Sequence, residues 1–111
     1  MLRKENRIRL KKEFDQVFKR GLSFYNKNLG VKVLKTELKV SRLGIIISNK
    51  VSKRAVERNR IKRIIRDFFK KEIEGLKIGK DVVIIVFPNE ANKSKAEIEK
   101  DLKIALDKIK K

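Results

Sequence analysis

Apolar positions recur along the chain with two periods, and the switches between them mark the elements. Leu10, Phe14, Val17 and Phe18 fall at i, i+4, i+7 and i+8, which predicts a helix over Lys11–Arg20 with Gly21 as a left-handed stop. The period then shortens to two. Leu22–Lys27 and Leu29–Thr36 read as strands; in the second, Leu29, Val31 and Val33 alternate with Gly30 and Lys32. Residues 37–40 form a polar turn, and Arg42–Ser48 carries the run Leu-Gly-Ile-Ile-Ile, the pattern of a strand buried on both faces. Helical spacing returns in a segment that starts near Ser52–Ala55, with Ser52 as N-cap, and ends by Gly75. Asp81–Phe87 is a second continuous apolar strand, stopped by Pro88. Ser94 and Glu97 form a capping-box pair that opens a last helix to about Lys110, with Ile98, Leu102, Ala105, Leu106 and Ile109 on one stripe.

The order is helix, strand, strand, strand, helix, strand, helix. It predicts an α+β sandwich, α-β-β-β-α-β-α, with a four-stranded sheet in a single domain over residues 1–111. Residues 1–9 (Arg3, Lys4, Arg7, Arg9) form a basic N-terminal arm. Two apolar strands flanking a helix imply a parallel pair, and the general handedness rule makes such a crossover right-handed.

Charge narrows the choice of partner. The chain has 32 Lys and Arg against 14 Asp and Glu, a net charge of +18, which points to a polyanion. No membrane partner is expected, because the apolar runs fall far short of the roughly 18–20 residues needed to span. Histidine and cysteine are absent, which removes the commonest general base, thiolate metal sites and any disulfide framework. No apolar signal-type segment opens the sequence, so the expected location is the cytoplasm.

The charge is concentrated in Lys50–Lys71, with ten basic residues and two acids. On a helical wheel Ile61, Ile64, Ile65, Phe68 and Phe69 share one sector. Asn59, Arg60, Lys62, Arg63, Arg66, Lys70 and Lys71 fill the remainder, and Arg58 sits at the boundary. Arg60 and Arg63 both point away from the core on this wheel. Arg54/Arg58, Arg58/Lys62 and Lys62/Arg66 are like charges at i, i+4, each costing roughly 0.2–0.5 kcal/mol. Burying five large apolar side chains, at roughly 1.5–3 kcal/mol each, outweighs that. The helix therefore forms with its repulsion unrelieved until phosphates arrive. Arginine suits bidentate phosphate contacts, and Asn59 suits a 2′-hydroxyl or a base edge, which favours RNA over DNA. A helix-turn-helix is disfavoured because this helix lies between strands.

These residues resemble a known family, the protein subunit of bacterial ribonuclease P. The likeness rests on Lys53–Phe69 (KRAVERNRIKRIIRDFF), with its Arg58-Asn59-Arg60 signature, on the strand entry Ser41-Arg42-Leu43-Gly44, and on the opening helix Arg9–Gly21. The resemblance implies a left-handed β-α-β crossover through the signature helix. It implies that a large RNA subunit is the catalyst, using magnesium ions to cut the 5′ leader from precursor tRNA, so that the protein is part of an endoribonuclease but inactive alone. Carried over by position, Arg58, Asn59, Arg60, Lys62, Arg63 and Arg66 contact the catalytic RNA, with Lys50, Lys53 and Arg54 at the helix entrance. Phe14, Phe18 and Lys32 belong to the cleft that grips the leader; spacing alone reads the two phenylalanines as core. Relatives often carry apolar or aromatic residues at the positions of Gly30 and Lys32, so this cleft leans more on charge. Tyr25 or Phe24 is the candidate to compensate, and the sequence leaves open which of them faces in.

Two other functions compete. A self-sufficient nuclease needs clustered carboxylates for magnesium, and the isolated candidates are Asp67 and Asp81, which read more simply as a surface charge and a strand-end residue. A ribosomal or general RNA-binding protein fits the composition equally well; only the signature helix speaks against it.

Overall fold

The computed structural model describes residues 6–38, 40–73 and 79–109. Helix α1 (Lys11–Arg20) leads into strands β1 (Leu22–Tyr25), β2 (Leu29–Lys35) and β3 (Arg42–Ile47). Helix α2 (Ala55–Ile73) connects to β4 (Lys80–Val86), and α3 (Lys95–Ile109) follows. Gly75, Arg3 and Lys4 lie outside the described residues. The strands form one mixed sheet in the order β1-β2-β4-β3. β3 and β4 pair in parallel through the α2 crossover, and the other pairings are antiparallel.

Alternation along the strands gives the sheet two buried faces. Leu29, Val31 and Val33 of β2, Leu43 of β3 and Val82, Ile84 and Val86 of β4 point to one side. There they meet Ile61, Ile64, Ile65 and Phe69 of α2 and Ile98, Leu102, Ala105 and Leu106 of α3. Phe68 is only partly buried at the margin of this core. On the other side a smaller core gathers Ile8, Val17 and Val83, with Phe14, Leu34, Ile46 and Ile85 packed against it. The apolar stripes of α2 and, from Ile98 to Leu106, of α3 are those the periodicity predicts, whereas on α1 Val17 is buried and Phe14 half-buried but Leu10 and Phe18 are exposed; the side chain of Ile109 lies outside the described residues.

Three local expectations are corrected. β3 is an edge strand, and Ile45, Ile46 and Ile47 are only half-buried; the strand covered on both faces is β4, buried from Asp81 to Ile84. Gly21 is extended, with φ −80° and ψ 158°, not left-handed. Glycine is needed there for close approach, since a Cβ would stand 2.5 Å from the Val17 carbonyl oxygen and 2.8 Å from that of Val33. Ser52 lies three residues before α2, where its Oγ accepts the Arg54 amide at 3.2 Å. The capping box at α3 forms as expected: the Ser94 amide donates to Glu97 Oε1 at 3.1 Å, and the Glu97 amide to Ser94 Oγ at 3.2 Å.

The turn between β4 and α3 hides a group that looks like ordinary surface in the sequence. Glu90 is 0% exposed, and neither of its carboxyl oxygens makes a hydrogen bond of good geometry, although Lys93 Nζ lies 3.4 Å from Oε1. The same ammonium is 3.0 Å from Asp101, which also accepts from the Asn28 side chain, Nδ2, at 3.5 Å. One lysine therefore serves two carboxylates. Burial first, and then Asp101, raise the Glu90 pKa to about 7. The folded chain thus holds this proton more tightly than the unfolded chain does. That stabilisation is complete below the ordinary glutamate range and is lost as pH rises through about 7. Melting temperature measured from about pH 5 to about pH 8 should fall more steeply for the wild type than for Glu90→Gln. Parallel profiles would contradict the placement of Glu90.

Candidate nucleic-acid interface

The candidate RNA-contacting residues of α2 and its entrance divide into three groups. Lys53, Arg54, Asn59 and Arg63 are exposed, as is Lys50 in the loop before the helix. Arg58 and Arg60 are half-buried and partly engaged at home. Arg58 Nη1 donates to the Ser52 carbonyl at 2.8 Å. Arg60 Nε donates to Glu57 at 3.1 Å, and its Nη2 donates to the Lys93 carbonyl at 2.9 Å. Arg60 does not simply point away from the core, as the wheel has it; it ties α2 to the turn that carries Glu90. That partner is 33 residues distant, so no local pattern announces it.

Lys62 and Arg66 form the third group. They line a groove of about 350 Å³ together with Arg7, Arg9, Phe14 and the strand residues 43–45. The N-terminal arm is laid there by the sheet itself. The Ile8 amide donates to the Leu43 carbonyl at 2.9 Å, Arg7 bridges Leu43 in parallel fashion, and Asn6 Nδ2 donates to the Ser41 carbonyl at 2.8 Å. Gly44 lies under the Phe14 ring, where a Cβ would meet Cε1 at 2.5 Å. Four cations around a glycine-floored groove suit an anionic backbone.

Helix α1 lies across the opposite face of the sheet from α2 and is fixed by one ion network. Arg42 Nε and Nη2 donate to the two carboxyl oxygens of Asp81 at 2.8 and 2.6 Å, and its Nη1 donates to Glu13. The other oxygen of Glu13 accepts the Leu10 amide at 3.0 Å and the Arg9 amide at 3.1 Å, which caps α1. The Leu10 amide, followed by the Arg9 amide and Arg42, holds the Glu13 carboxyl below its usual range against the opposing effect of burial. Asp81 is 3% exposed and committed to Arg42, while Asp67 stays on the surface. Among the described residues no three acidic side chains gather to hold a metal ion.

Toward β1, the same sheet face carries Lys32 and Tyr25, beside Phe18 of α1. Phe18 is 37% exposed, and Lys32 Nζ lies 5.0 Å from its ring centroid. Phe14 is half-buried in the smaller core, so of the two phenylalanines Phe18 is the one that offers a ring to solvent. The register settles the choice between Tyr25 and Phe24. Tyr25 pairs with Gly30 and faces the α1 side; Phe24 pairs with Val31 and faces α3, where Lys108 Nζ lies 5.9 Å from its ring.

Comparison with known proteins decides the family. The family model for Ribonuclease P matches residues 2–110. The chain belongs to the ribonuclease P protein family. The Ribonuclease P protein component of Syntrophus aciditrophicus is 34% identical over 107 residues, covering 96% of this chain and 89% of the relative. The RNase P protein of Staphylococcus aureus superposes with a TM-score of 0.88 at 31% identity, covering 95% of each chain. That of Thermotoga maritima, solved in complex with 1-(4-fluorophenyl)-2-thiourea, gives 0.81 at 30% identity, covering 90% of this chain and 96% of that one. A ribonuclease P protein component implies a ribonuclease P RNA as partner. No helix among the described residues is long and apolar enough to cross a membrane.

The division of the α2 arginines has a direct consequence. Arg63→Ala should leave the melting temperature unchanged, while Arg60→Ala should lower it, by roughly 1–2 kcal/mol of stability for the lost contacts to Glu57 and Lys93. Calorimetry of the two variants checks this; equal melting would contradict the assignment.

Proposed function

We propose that this chain binds the catalytic RNA of ribonuclease P through α2 and the single-stranded 5′ leader of precursor tRNA through the α1 face of the sheet. On this reading the protein assists magnesium-dependent removal of the leader and performs no cleavage of its own. The observation that carries the reading is the placement of charge and aromatic surface on opposite sides of one sheet. α2 buries its apolar sector and turns Asn59 and Arg63 outward, with Lys53 and Arg54 exposed at its entrance, a cationic ridge suited to a folded RNA. Across the sheet, exposed rings beside Lys32 suit an unpaired strand, because stacking tolerates any base sequence. Lys62, Arg66, Arg7 and Arg9 lie between the two and follow a backbone from one to the other.

The chemistry of the chain supports a binding role. There is no histidine or cysteine to act as base or nucleophile, and Asp81 is neutralised by Arg42. On this reading magnesium is held by the RNA–protein holoenzyme. What the protein contributes is position: the sheet fixes the leader relative to α2, and α2 is fixed relative to the catalytic RNA. Pre-paid orientation of this kind is worth more to a cleavage reaction than an extra weak contact. It also lowers the magnesium needed to hold two polyanions together, because the protein's cations neutralise phosphates in its place. The cytoplasm is the expected place of action.

Cleavage of a precursor tRNA at low magnesium checks this with three mixtures: ribonuclease P RNA alone, protein alone, and both. Efficient cutting at the mature 5′ end should require both. Cutting by the protein alone would place catalysis on the chain. A protein that adds nothing to the RNA would favour a general RNA-binding role.

A further inference from the structure

The cleft face holds an aromatic surface that the helix α1 phenylalanines do not account for. Ser23 and Tyr25 of β1 stand opposite Lys32 and Gly30 of β2, so all four lie on the α1 side of the sheet. Gly30 has no side chain, and the Tyr25 ring occupies the space above it. A Cβ at residue 30 would come within 2.7 Å of both Cδ1 and Cε1 of Tyr25. Any other residue there would push the ring off the sheet. Phe87, just past β4, completes the surface: its ring stacks with Tyr25 at a centroid distance of 6.3 Å and an interplanar angle of 30°. The strand pair thus recovers through β1 the aromatic surface that β2 lacks at Gly30 and Lys32.

The shelf is open and charged at one edge. Tyr25 is 50% exposed. Lys32 Nζ sits 5.6 Å from the Tyr25 centroid and 5.0 Å from that of Phe18, and donates to Ser23 Oγ at 3.1 Å. Among the described residues no carboxylate pairs with this ammonium, so its charge is held in place by a hydroxyl and two ring faces. Such a cation is available to a phosphate one sugar away from a base on the ring.

We propose that Tyr25, floored by Gly30 and backed by Phe87, is a stacking site for one unpaired RNA base, with Lys32 taking the adjoining phosphate. This rests on the reading that the α1 face takes single-stranded RNA, and it assigns the base-contacting residue on that face to β1. Tyrosine presents a flat, rigid surface, and stacking on it needs no base identity. A purine covers more of the ring than a pyrimidine, so adenine should bind more tightly than uracil at this position.

The chain provides its own probe, because Tyr25 is its sole tyrosine and tryptophan is absent. The full-length protein is titrated with an end-labelled oligoadenylate of about six nucleotides, a length within the range of single-strand binding sites. Label anisotropy reports binding, and tyrosine emission reports contact at residue 25. The expected result is that both signals saturate together, with emission quenched by the oligonucleotide and unchanged by inorganic triphosphate. Tyr25→Phe should keep the affinity, and Tyr25→Ala should lose about tenfold at an unchanged melting temperature. Saturable anisotropy with unchanged emission, and equal affinity for Tyr25→Ala, would overturn the stacking site while leaving single-strand binding on this face intact. No binding by either signal would overturn both.

Discussion

The arrangement of the molecule depends on the guanidinium of Arg42. It adds an ionic tie between three elements on the α1 face: its own strand β3, β4 through Asp81, and α1 through Glu13. Arg42 and Asp81 are register partners in the parallel pair, so the ion pair locks the two strands that α2 connects. Its hydrogen bonds to Asp81, and then those to Glu13, keep Arg42 charged against the effect of burial. Glu13 extends the lock to the backbone amides of Leu10 and Arg9, and so to the direction in which the arm enters. Arginine is suited to this post because its planar fork satisfies two carboxylates at fixed angles; a lysine would not. Loss of one partner of a buried pair costs roughly 3–5 kcal/mol, and here it would also remove the ionic link between α1 and the sheet.

With α1 fixed, two glycines determine what lies on either side of it. Gly44 lets Phe14 settle on β3 and walls a cationic groove; Gly30 lets Tyr25 lie across β2 beside Lys32. On the far side of the sheet, the apolar sector of α2 is spent on the main core, and its like-charged neighbours are left facing solvent. Burial of four core side chains, at roughly 1.5–3 kcal/mol each, comfortably sustains a helix whose i, i+4 repulsions cost about 1 kcal/mol in all. Folding energy from one face thus holds together a dense positive charge on the other.

Much of this was legible in the sequence. The stripe of α2, the capping box at Ser94 and Glu97, and the alternation of β2 each report a local period, and local periods survive into the structure. What was not legible depends on pairing between distant segments. β3 and β4 are both continuous apolar runs, so composition cannot say which is the edge; the sheet order does. Arg60 looks like a free cation on a wheel, but its acceptor is a carbonyl in another turn. The inward choice of Tyr25 over Phe24 required the β1–β2 register. Gly21 looks like a left-handed helix stop but serves close approach, because a tight contact with Val33 leaves no trace in the local sequence. Glu90 sits in a stretch of Pro, Asn and Lys that has every mark of exposed loop, yet it is covered completely.

The absence of cysteine offers a direct test of the two-sided arrangement, since a single introduced cysteine is a unique attachment point. Arg63→Cys on the outer face of α2 and Lys19→Cys beside Phe18 would each carry a tethered iron–EDTA group. Both would be assembled with ribonuclease P RNA and a precursor tRNA. The proposed division of labour predicts cuts in the catalytic RNA from position 63 and cuts in the 5′ leader from position 19. Cuts in the same strand from both positions, or the two patterns exchanged, would contradict it.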